Sequence, residues 1–272
     1  MIVRLFILGI FSPILFYLFF ASRQYLRVKS RSNPDFLQIP KYKFLIWRIH
    51  RVLTGLNPYY QGLSKKGKKH FVSRLIVVLQ QKSVRTRDGE RDTLEKRIVI
   101  LGALVQLTFG LQKFDIPSFN YIALYPSSFY SKLIRKQVKG LTTKRGTVAL
   151  SWLDTMNGVY DPSDNLNLAL HEWSHALLID HVDDHTNWMY RSLTTHVNKA
   201  EAYFETIDKD APKYRYLRSY AFTNEHEFFA VCVEHFFETP DTFAVQLPEL
   251  FNIMCSLLNQ NPLNVENDYK WK

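Results

Sequence analysis

The residues best suited to chemistry form the string His-Glu-Trp-Ser-His over 171–175. The surrounding run, residues 165–180, predicts a helix. On a helix, His171 and His175 lie four positions apart on one face, so both imidazoles can reach a single zinc ion. Glu172 emerges beside them, where it can polarise a metal-bound water without ligating the metal. The string therefore predicts a Zn2+ site with Glu172 as general base.

A catalytic zinc needs a third protein ligand and an open position for water. His181 lies six residues after His175, which is the spacing of the metzincin pattern. That pattern requires a glycine where the helix ends and the chain turns back with positive φ, and here the position is Leu178. The leucine disfavours the metzincin interpretation. The alternative is that His181 and His185 belong to a polar, solvated loop.

Two other candidates for the third ligand lie in the helical, apolar stretch 220–237. Glu227 and Glu234 are seven apart, two turns on one stripe, so both could face the metal region. Asn224 and Glu227 also fit a capping-box pattern, which would make Glu227 a local helix starter. Glu234 could instead orient a histidine or lie on the surface. Spacing alone does not choose between the two glutamates.

Several segments, read together, resemble the Mlc titration factor A family of zinc-dependent peptidases, a gluzincin-like group. The resemblance covers about residues 55–262, and its blocks are residues 122–126, 146–154, 167–175, 220–231 and 234–240. It implies that zinc is bound by His171, His175 and Glu227. It also implies that Glu172 is the general base and that Tyr220 lies near the reaction centre.

Helices must position these residues, and their start signals can be read from the sequence. Ser64 and Thr93 are typical N-caps and predict helices that continue to about residues 79 and 111. Asp161, as cap, and Pro162, in the first turn, predict the start of the metal-binding helix. Later helices are predicted over 196–207, 224–238 and 245–259.

Two apolar runs, residues 121–125 and 146–153, predict strands. The second is expected to be an edge strand on which an extended substrate adds, with Leu150 and Trp152 shaping the cleft. Helices and strands together predict an α+β fold, a zincin-like metallopeptidase domain with a small mixed sheet and an active-site helix. We expect this domain to span residues 55–272.

The chain begins with an apolar segment, and residues 5–21 carry no charge. This length is near the lower limit for crossing a bilayer, about 17–25 residues. We predict a transmembrane anchor over residues 1–22 and a basic juxtamembrane linker over 23–54. Cations follow the segment, so the positive-inside rule keeps the large C-terminal part in the cytoplasm. Export after signal-peptide cleavage is the alternative, although no clean small-residue cleavage site follows.

Charge is unevenly distributed along the chain. Residues 1–100 hold 20 Lys and Arg against 5 Asp and Glu, whereas residues 101–272 hold 15 against 20. A membrane surface is the expected partner of the basic part, because no segment resembles a nucleic-acid-binding module. The two cysteines, Cys232 and Cys255, suit a reducing compartment and predict no disulfide framework.

The resulting hypothesis is hydrolysis of a peptide or protein substrate by a zinc-activated water. The hydroxyl of Tyr220 could donate a hydrogen bond to the oxyanion, or Tyr220 could be a packing residue at the start of a helix. The rival hypothesis is a membrane-tethered regulatory protein with a structural or vestigial zinc site. Such a protein would sequester a protein partner, as the resemblance implies. His226 and His235 receive no role.

Overall fold

A computed structural model describes residues 40–182, 202–209 and 212–272 of the chain. Contacts divide the chain into two units, Met1–Ile46 and Trp47–Lys272. The predicted anchor over 1–22 and most of the predicted linker lie outside the described residues, as does His185. Within the described residues, no helix is both long and apolar enough to cross a membrane.

The described part of the chain is mostly helical, with short strands between the helices. The α-helices are α1 (Pro40–Leu56), α2 (Pro58–Gly62), α3 (Lys65–Gln81), α4 (Leu94–Leu107), α5 (Trp152–Tyr160), α6 (Leu168–Val182), α7 (Glu225–Glu238), α8 (Pro240–Gln246) and α9 (Pro248–Leu258). The strands are β1 (Ser83–Thr86), β2 (Tyr121–Tyr125), β3 (Phe129–Ser131), β4 (Lys136–Val138), β5 (Gly140–Thr143) and β6 (Thr147–Ser151). This mixture confirms the predicted α+β class.

The two predicted N-caps are confirmed. The Ser64 hydroxyl accepts a hydrogen bond from the Gly67 amide at 3.1 Å, and α3 follows. The Thr93 hydroxyl accepts one from the Lys96 amide at 3.4 Å, and α4 follows. Each cap satisfies one of the amide groups that a helix start leaves without a partner.

The helix that was predicted to bind the metal begins later than expected. Asp161 does not start it but ends α5, where its amide donates to the Asn157 carbonyl at 3.1 Å. The Asp164 carboxylate accepts from the Leu166 amide, and the chain then turns. Asn167 takes the capping role, because its side-chain oxygen accepts from the Leu170 amide at 3.1 Å. The prediction of a start at Asp161 and Pro162 is therefore wrong.

The larger sheet has the strand order β1-β2-β6-β5. β1, β2 and β6 run parallel, and β5 is antiparallel to β6. β6 therefore lies inside the sheet, so the prediction that it forms the substrate edge is wrong. Leu150 is fully buried and cannot line a cleft. Trp152 begins α5, where the Lys96 ammonium lies 4.9 Å from its ring centroid.

Helix α6 is packed against α4, α7, β5 and β6. Its central Trp173 is completely buried and donates from Nε1 to the Ile100 carbonyl of α4 at 2.9 Å. Leu178 lies within α6 rather than at its end, so the chain does not turn where the metzincin pattern requires. The backbone of His181 is in the last turn of α6, and its side chain lies outside the described part.

The C-terminal helices differ slightly from their predicted bounds. α7 matches the predicted helix over 224–238, whereas the predicted helix over 245–259 is two helices that meet before Pro248. Proline lacks an amide hydrogen and favours the first turn of a new helix. Residues 202–206 are helical, and the earlier part of the helix predicted over 196–207 lies outside the described residues. Cys232 and Cys255 are buried and unpaired with each other.

Candidate metal centre

Three side chains from two helices converge at one point. His171 and His175 of α6 place their Nε2 atoms 3.2 Å apart. Glu227 of α7 places its Oε2 atom 3.1 Å from Nε2 of His171 and 3.5 Å from Nε2 of His175. The structure thus brings together the three residues that the family resemblance names as ligands.

The three atoms fit a tetrahedral metal ion. Zinc bonds of about 2.0–2.1 Å at tetrahedral angles require ligand atoms about 3.3 Å apart, which is close to the three distances here. Oε2 of Glu227 is buried and, among the residues that the structure describes, accepts no hydrogen bond of good geometry, although both imidazoles are near it. Two imidazole nitrogens also repel each other at contact distance unless a cation or proton lies between them. These observations fit a divalent metal held by the three residues.

Glu227 also lies at a helix start, as its capping-box pattern suggested. Its amide donates to the Asn224 side-chain oxygen at 3.0 Å, so Asn224 caps α7. The Glu227 side chain, however, reaches the two histidines instead of returning to the cap. The backbone of Glu227 therefore serves the helix while its carboxylate is available to a metal.

Glu234 contacts a different atom of the same histidine. Its Oε2 lies 3.2 Å from Nδ1 of His171, and Glu234 is almost completely buried. The Arg218 guanidinium contacts the same carboxylate oxygen and also donates to the Asn165 carbonyl at 2.8 Å. When Nδ1 of neutral His171 donates a hydrogen bond to Glu234, Nε2 of the same ring carries no proton. The lone pair of Nε2 can then bind a metal ion. Sequence spacing placed Glu234 near the site but gave no sign of Arg218.

Glu172 is held by strand β5. The Thr142 hydroxyl contacts Oε2 of Glu172 at 2.7 Å and its carbonyl oxygen at 2.9 Å. On the other side, a Cβ atom added at Gly140 would lie 2.3 Å from Oε1 of Glu172, so only glycine leaves room for the carboxylate. Burial raises the pKa of Glu172. Sequence analysis missed Thr142 and Gly140.

Tyr220 stands at the mouth of the site and is 50% exposed. It belongs to a 3-10 turn, Ser219–Thr223, that leads into α7. Its ring centroid is 6.1 Å from that of His171. Partial burial and the nearby Glu227 carboxylate raise the pKa of Tyr220 to about 12. The hydroxyl therefore keeps its proton at neutral pH and can donate it in a hydrogen bond.

The histidines and glutamates of the cluster shift one another's pKa values. Burial disfavours a charged His171, but the carboxylates of Glu227 and Glu234 outweigh this and raise its pKa to about 10. Burial likewise disfavours a charged Glu227, but His171 and His175 hold its pKa well below the usual range. A proton thus partly replaces the positive charge that a metal would supply.

The cluster opens into a cavity of about 610 Å³. Its lining includes His171, Glu172, Arg218, Tyr220, Glu234 and Gly140. β5 pairs with β6 on one side, and no described strand pairs with its other side. His235 takes no part, because it packs against Tyr216 with ring centroids 4.6 Å apart.

Comparison with known proteins gives a consistent result. The family described as glucose-regulated metallo-peptidase M90 matches residues 42–258. Among similar proteins is Mlc titration factor A of Escherichia coli O9:H4 (strain HS), which is 28% identical in an alignment of 230 residues that covers 76% of this chain and 84% of that protein. The protein of the same name from Cronobacter sakazakii (strain ATCC BAA-894) is 29% identical over 230 residues, with the same coverage.

The Salmonella typhi Mlc titration factor A is 28% identical in an alignment of 208 residues that covers 68% of this chain and 76% of that protein. The family match extends from α1 to α9 and so includes both helices that carry the His and Glu cluster. A cluster suited to a metal and a match over most of the chain lead to one conclusion. The chain belongs to the glucose-regulated metallo-peptidase M90 family.

Proposed function

We propose that this chain is a zinc-dependent peptidase that hydrolyses peptide bonds. Its zinc ligands would be His171, His175 and Glu227, with Glu172 as the general base. One observation carries the proposal: Nε2 of His171, Nε2 of His175 and Oε2 of Glu227 lie 3.1–3.5 Å from one another, which is the spacing of ligand atoms around one tetrahedral metal ion. Zinc is the ion that this combination of two imidazoles and a carboxylate suits best.

When bound, zinc would lower the pKa of a coordinated water and polarise the scissile carbonyl. The residues of the chain would supply the proton transfers. Glu172 accepts the proton of the attacking water and passes it to the leaving amine. Thr142 keeps the carboxylate in place through the bond to Oε2.

Tyr220 would assist the same step as a hydrogen-bond donor. Its hydroxyl is protonated at neutral pH and belongs to the lining of the cavity. A donor aimed at the oxygen that becomes negatively charged stabilises the transition state. Strand β5 would hold the substrate, since an extended peptide can add to the side of β5 that faces away from β6.

A second candidate function follows from the names of the relatives. They are called Mlc titration factor A, which points to capture of a protein partner by those proteins. In this chain the corresponding role would be a regulatory protein in which the metal site is structural. The predicted anchor over residues 1–22 would tether either form to a membrane, with the described domain on the cytoplasmic side.

Metal content and activity, measured together on the full-length chain, test the proposal. We expect equimolar zinc by elemental analysis in the parent and in Glu172→Gln, and little zinc in Glu227→Ala. We expect peptidase activity toward an unfolded protein substrate to fall by about 10²–10⁴-fold in Glu172→Gln, because a general base contributes that much. Glu225→Ala removes a neighbouring carboxylate in the first turn of α7 and should change neither quantity.

The outcomes separate the two functions. Zinc retained in a folded Glu227→Ala chain would show that Glu227 is not a ligand. Parent and Glu172→Gln chains that bind zinc equally and hydrolyse the substrate at the same rate would refute the catalytic role of Glu172. The regulatory function is supported instead if two results are obtained together. The parent hydrolyses no substrate, and Glu172→Gln captures a protein partner as well as the parent does.

A further inference from the structure

A small two-stranded ribbon projects beside the cavity. β3 and β4 pair antiparallel, and residues 132–135 form the turn between them. The turn exposes two aliphatic side chains, Leu133 at 72% and Ile134 at 43%. Tyr130, in β3, is 61% exposed. We call residues 130–136 the hairpin tip.

The base of the ribbon is fixed to the domain. Phe129 is buried, and its ring stacks on Tyr125 of β2 with centroids 3.8 Å apart. Ser131 is buried as well, and the Gln137 amide donates to the Ser128 hydroxyl at 3.3 Å. The exposed aliphatic residues are therefore held outward by a packed base.

The charged residues of the hairpin tip itself are all positive. Between Asp115 and Asp154 the chain has no carboxylate residue, and its cations are Lys132, Arg135, Lys136, Lys139, Lys144 and Arg145. Lys139 pairs with Asp154 at 2.9 Å. The three cations of the tip are exposed, and the described part of the chain offers no ion-pair partner to them.

We propose that the hairpin tip inserts into the surface of an anionic lipid bilayer. Leu133 and Ile134 would enter the boundary between headgroups and acyl chains, and the three flanking cations would meet the lipid phosphates. Apolar side chains surrounded by Lys and Arg are what such a surface binds. Each cation near an anionic membrane strengthens binding by about fivefold, so three together contribute roughly 100-fold.

The shape of the tip favours a bilayer over a protein. Stable protein interfaces bury about 800 Å² on each partner, with apolar residues at the centre of a broad patch. Two exposed aliphatic side chains on a four-residue turn provide far less, whereas a fluid lipid surface can enclose a small exposed turn. This proposal does not depend on the metal site or on hydrolysis.

A local probe on the full-length chain tests the proposal, because the predicted anchor could bring the chain to a bilayer by itself. Leu133→Cys would carry an environment-sensitive nitrobenzoxadiazole label; the native Cys232 and Cys255 are buried. Val245→Cys, at a residue 77% exposed on α8, is the matched control. Vesicles would contain phosphatidylcholine alone or mixed with phosphatidylglycerol, each with a doxyl-labelled lipid as quencher.

We expect a blue shift and strong quenching of the label at 133 in the anionic vesicles, and neither at 245. The triple variant Lys132→Gln, Arg135→Gln, Lys136→Gln should lose most of the quenching, and so should added salt. The proposal is overturned if the label at 133 stays accessible to aqueous iodide on anionic vesicles, or if it is quenched no more than the label at 245. Equal quenching in the parent and the triple variant, or protection only when a protein partner is added, also overturns it.

Discussion

At the scale of single residues, the position of the Glu172 carboxylate depends on the lack of a side chain at Gly140. Gly140 lies opposite Oε1, and an added Cβ would approach Oε1 to 2.3 Å and the carboxyl carbon to 2.7 Å. Real Cβ atoms do not come so close to other atoms, so any larger residue must displace the carboxylate or β5. Gly140 and Thr142 thus define the carboxylate position from two sides.

We expect Gly140→Ala to lower the peptidase kcat by about 100-fold, because a displacement of about 1 Å in a catalytic group has an effect of that size. Zinc content should stay at the parent value, since the atoms nearest to a Cβ added at Gly140 all belong to Glu172, which is not a proposed ligand. Steady-state kinetics and elemental analysis of the same samples check both expectations.

The matched control is Gly55→Ala. Gly55 lies in α1 with no heavy atom within 4 Å of an added Cβ, so alanine should leave activity unchanged and stabilise the helix by about 0.5–1 kcal/mol. A Gly140→Ala enzyme as active as Gly55→Ala would show that the close approach to Glu172 has no catalytic importance.

The sequence predicts those residues of the candidate site that lie at helical spacing from one another along the chain. His171, Glu172 and His175 share one helix, and the family resemblance selected Glu227 over Glu234. Thr142 and Gly140 could not be found in this way, because their contact with Glu172 crosses from a strand to a helix about 30 residues away. Such a contact becomes visible only when the two elements are packed together.

At the scale of elements, the geometry of the candidate metal centre depends on how α6 is fixed between its neighbours. Trp173 lies between Glu172 and Ser174, yet it points away from the site into the core, where it reaches α4. Two of the proposed ligands and the proposed base are therefore positioned by one buried indole and its hydrogen bond.

We expect Trp173→Phe to lower the free energy of unfolding by about 1–3 kcal/mol, through the lost hydrogen bond to Ile100 and the space left by the smaller ring. Urea unfolding followed by circular dichroism measures the change. Trp271→Phe, near the C-terminus and only partly buried, should change the free energy by less than about 0.5 kcal/mol. Equal effects of the two substitutions would contradict the anchoring role of Trp173.

Prediction of the elements succeeded where local signals were strong. Ser64, Thr93 and Asn224 cap helices as their side chains suggest. The start of α6 was misjudged because Asp161 and Pro162 form a plausible cap, while the chain there leaves α5 and turns through Asp164. β5 was missed because its four residues, Gly-Leu-Thr-Thr, are too short and too polar to show a clear alternation.

At the scale of the whole molecule, the pH dependence of stability should reflect a buried carboxyl group behind the site. Glu238 accepts a hydrogen bond from the Asn167 side chain at 3.1 Å through Oε1, and its Oε2 is buried. Burial, with the negative charges of Asp164 and Glu234, raises the pKa of Glu238 to about 8. The folded chain therefore binds a proton at Glu238 over a range in which the unfolded chain has released it.

A folded-state pKa above the unfolded value stabilises the protein at low pH, and the contribution is lost as pH rises from about 4.5 to about 8. The loss is roughly 1.4 kcal/mol for each unit of pKa difference. We expect Glu238→Gln to remove it, so that the variant becomes more stable than the parent as pH rises through this range. Urea unfolding at a series of pH values measures the difference.

The control for this series is Glu266→Gln, at an exposed position near the C-terminus. It should follow the parent at every pH, because an exposed surface substitution changes the free energy of unfolding by less than about 0.5 kcal/mol. A constant difference between Glu238→Gln and the parent across the whole range would contradict the assignment of the titration to Glu238.

The order of elements around β5 has a consequence for regulation. The hairpin tip, β4, Gly140 and Thr142 follow one another without interruption along residues 130–143. A lipid contact that alters β5 would change how tightly the cavity holds its substrate. Thermodynamic linkage makes such an effect reciprocal: a bound substrate must change the affinity of the tip for lipid by the same factor. Under this coupling, occupancy of the cavity would set how long the domain stays on the bilayer.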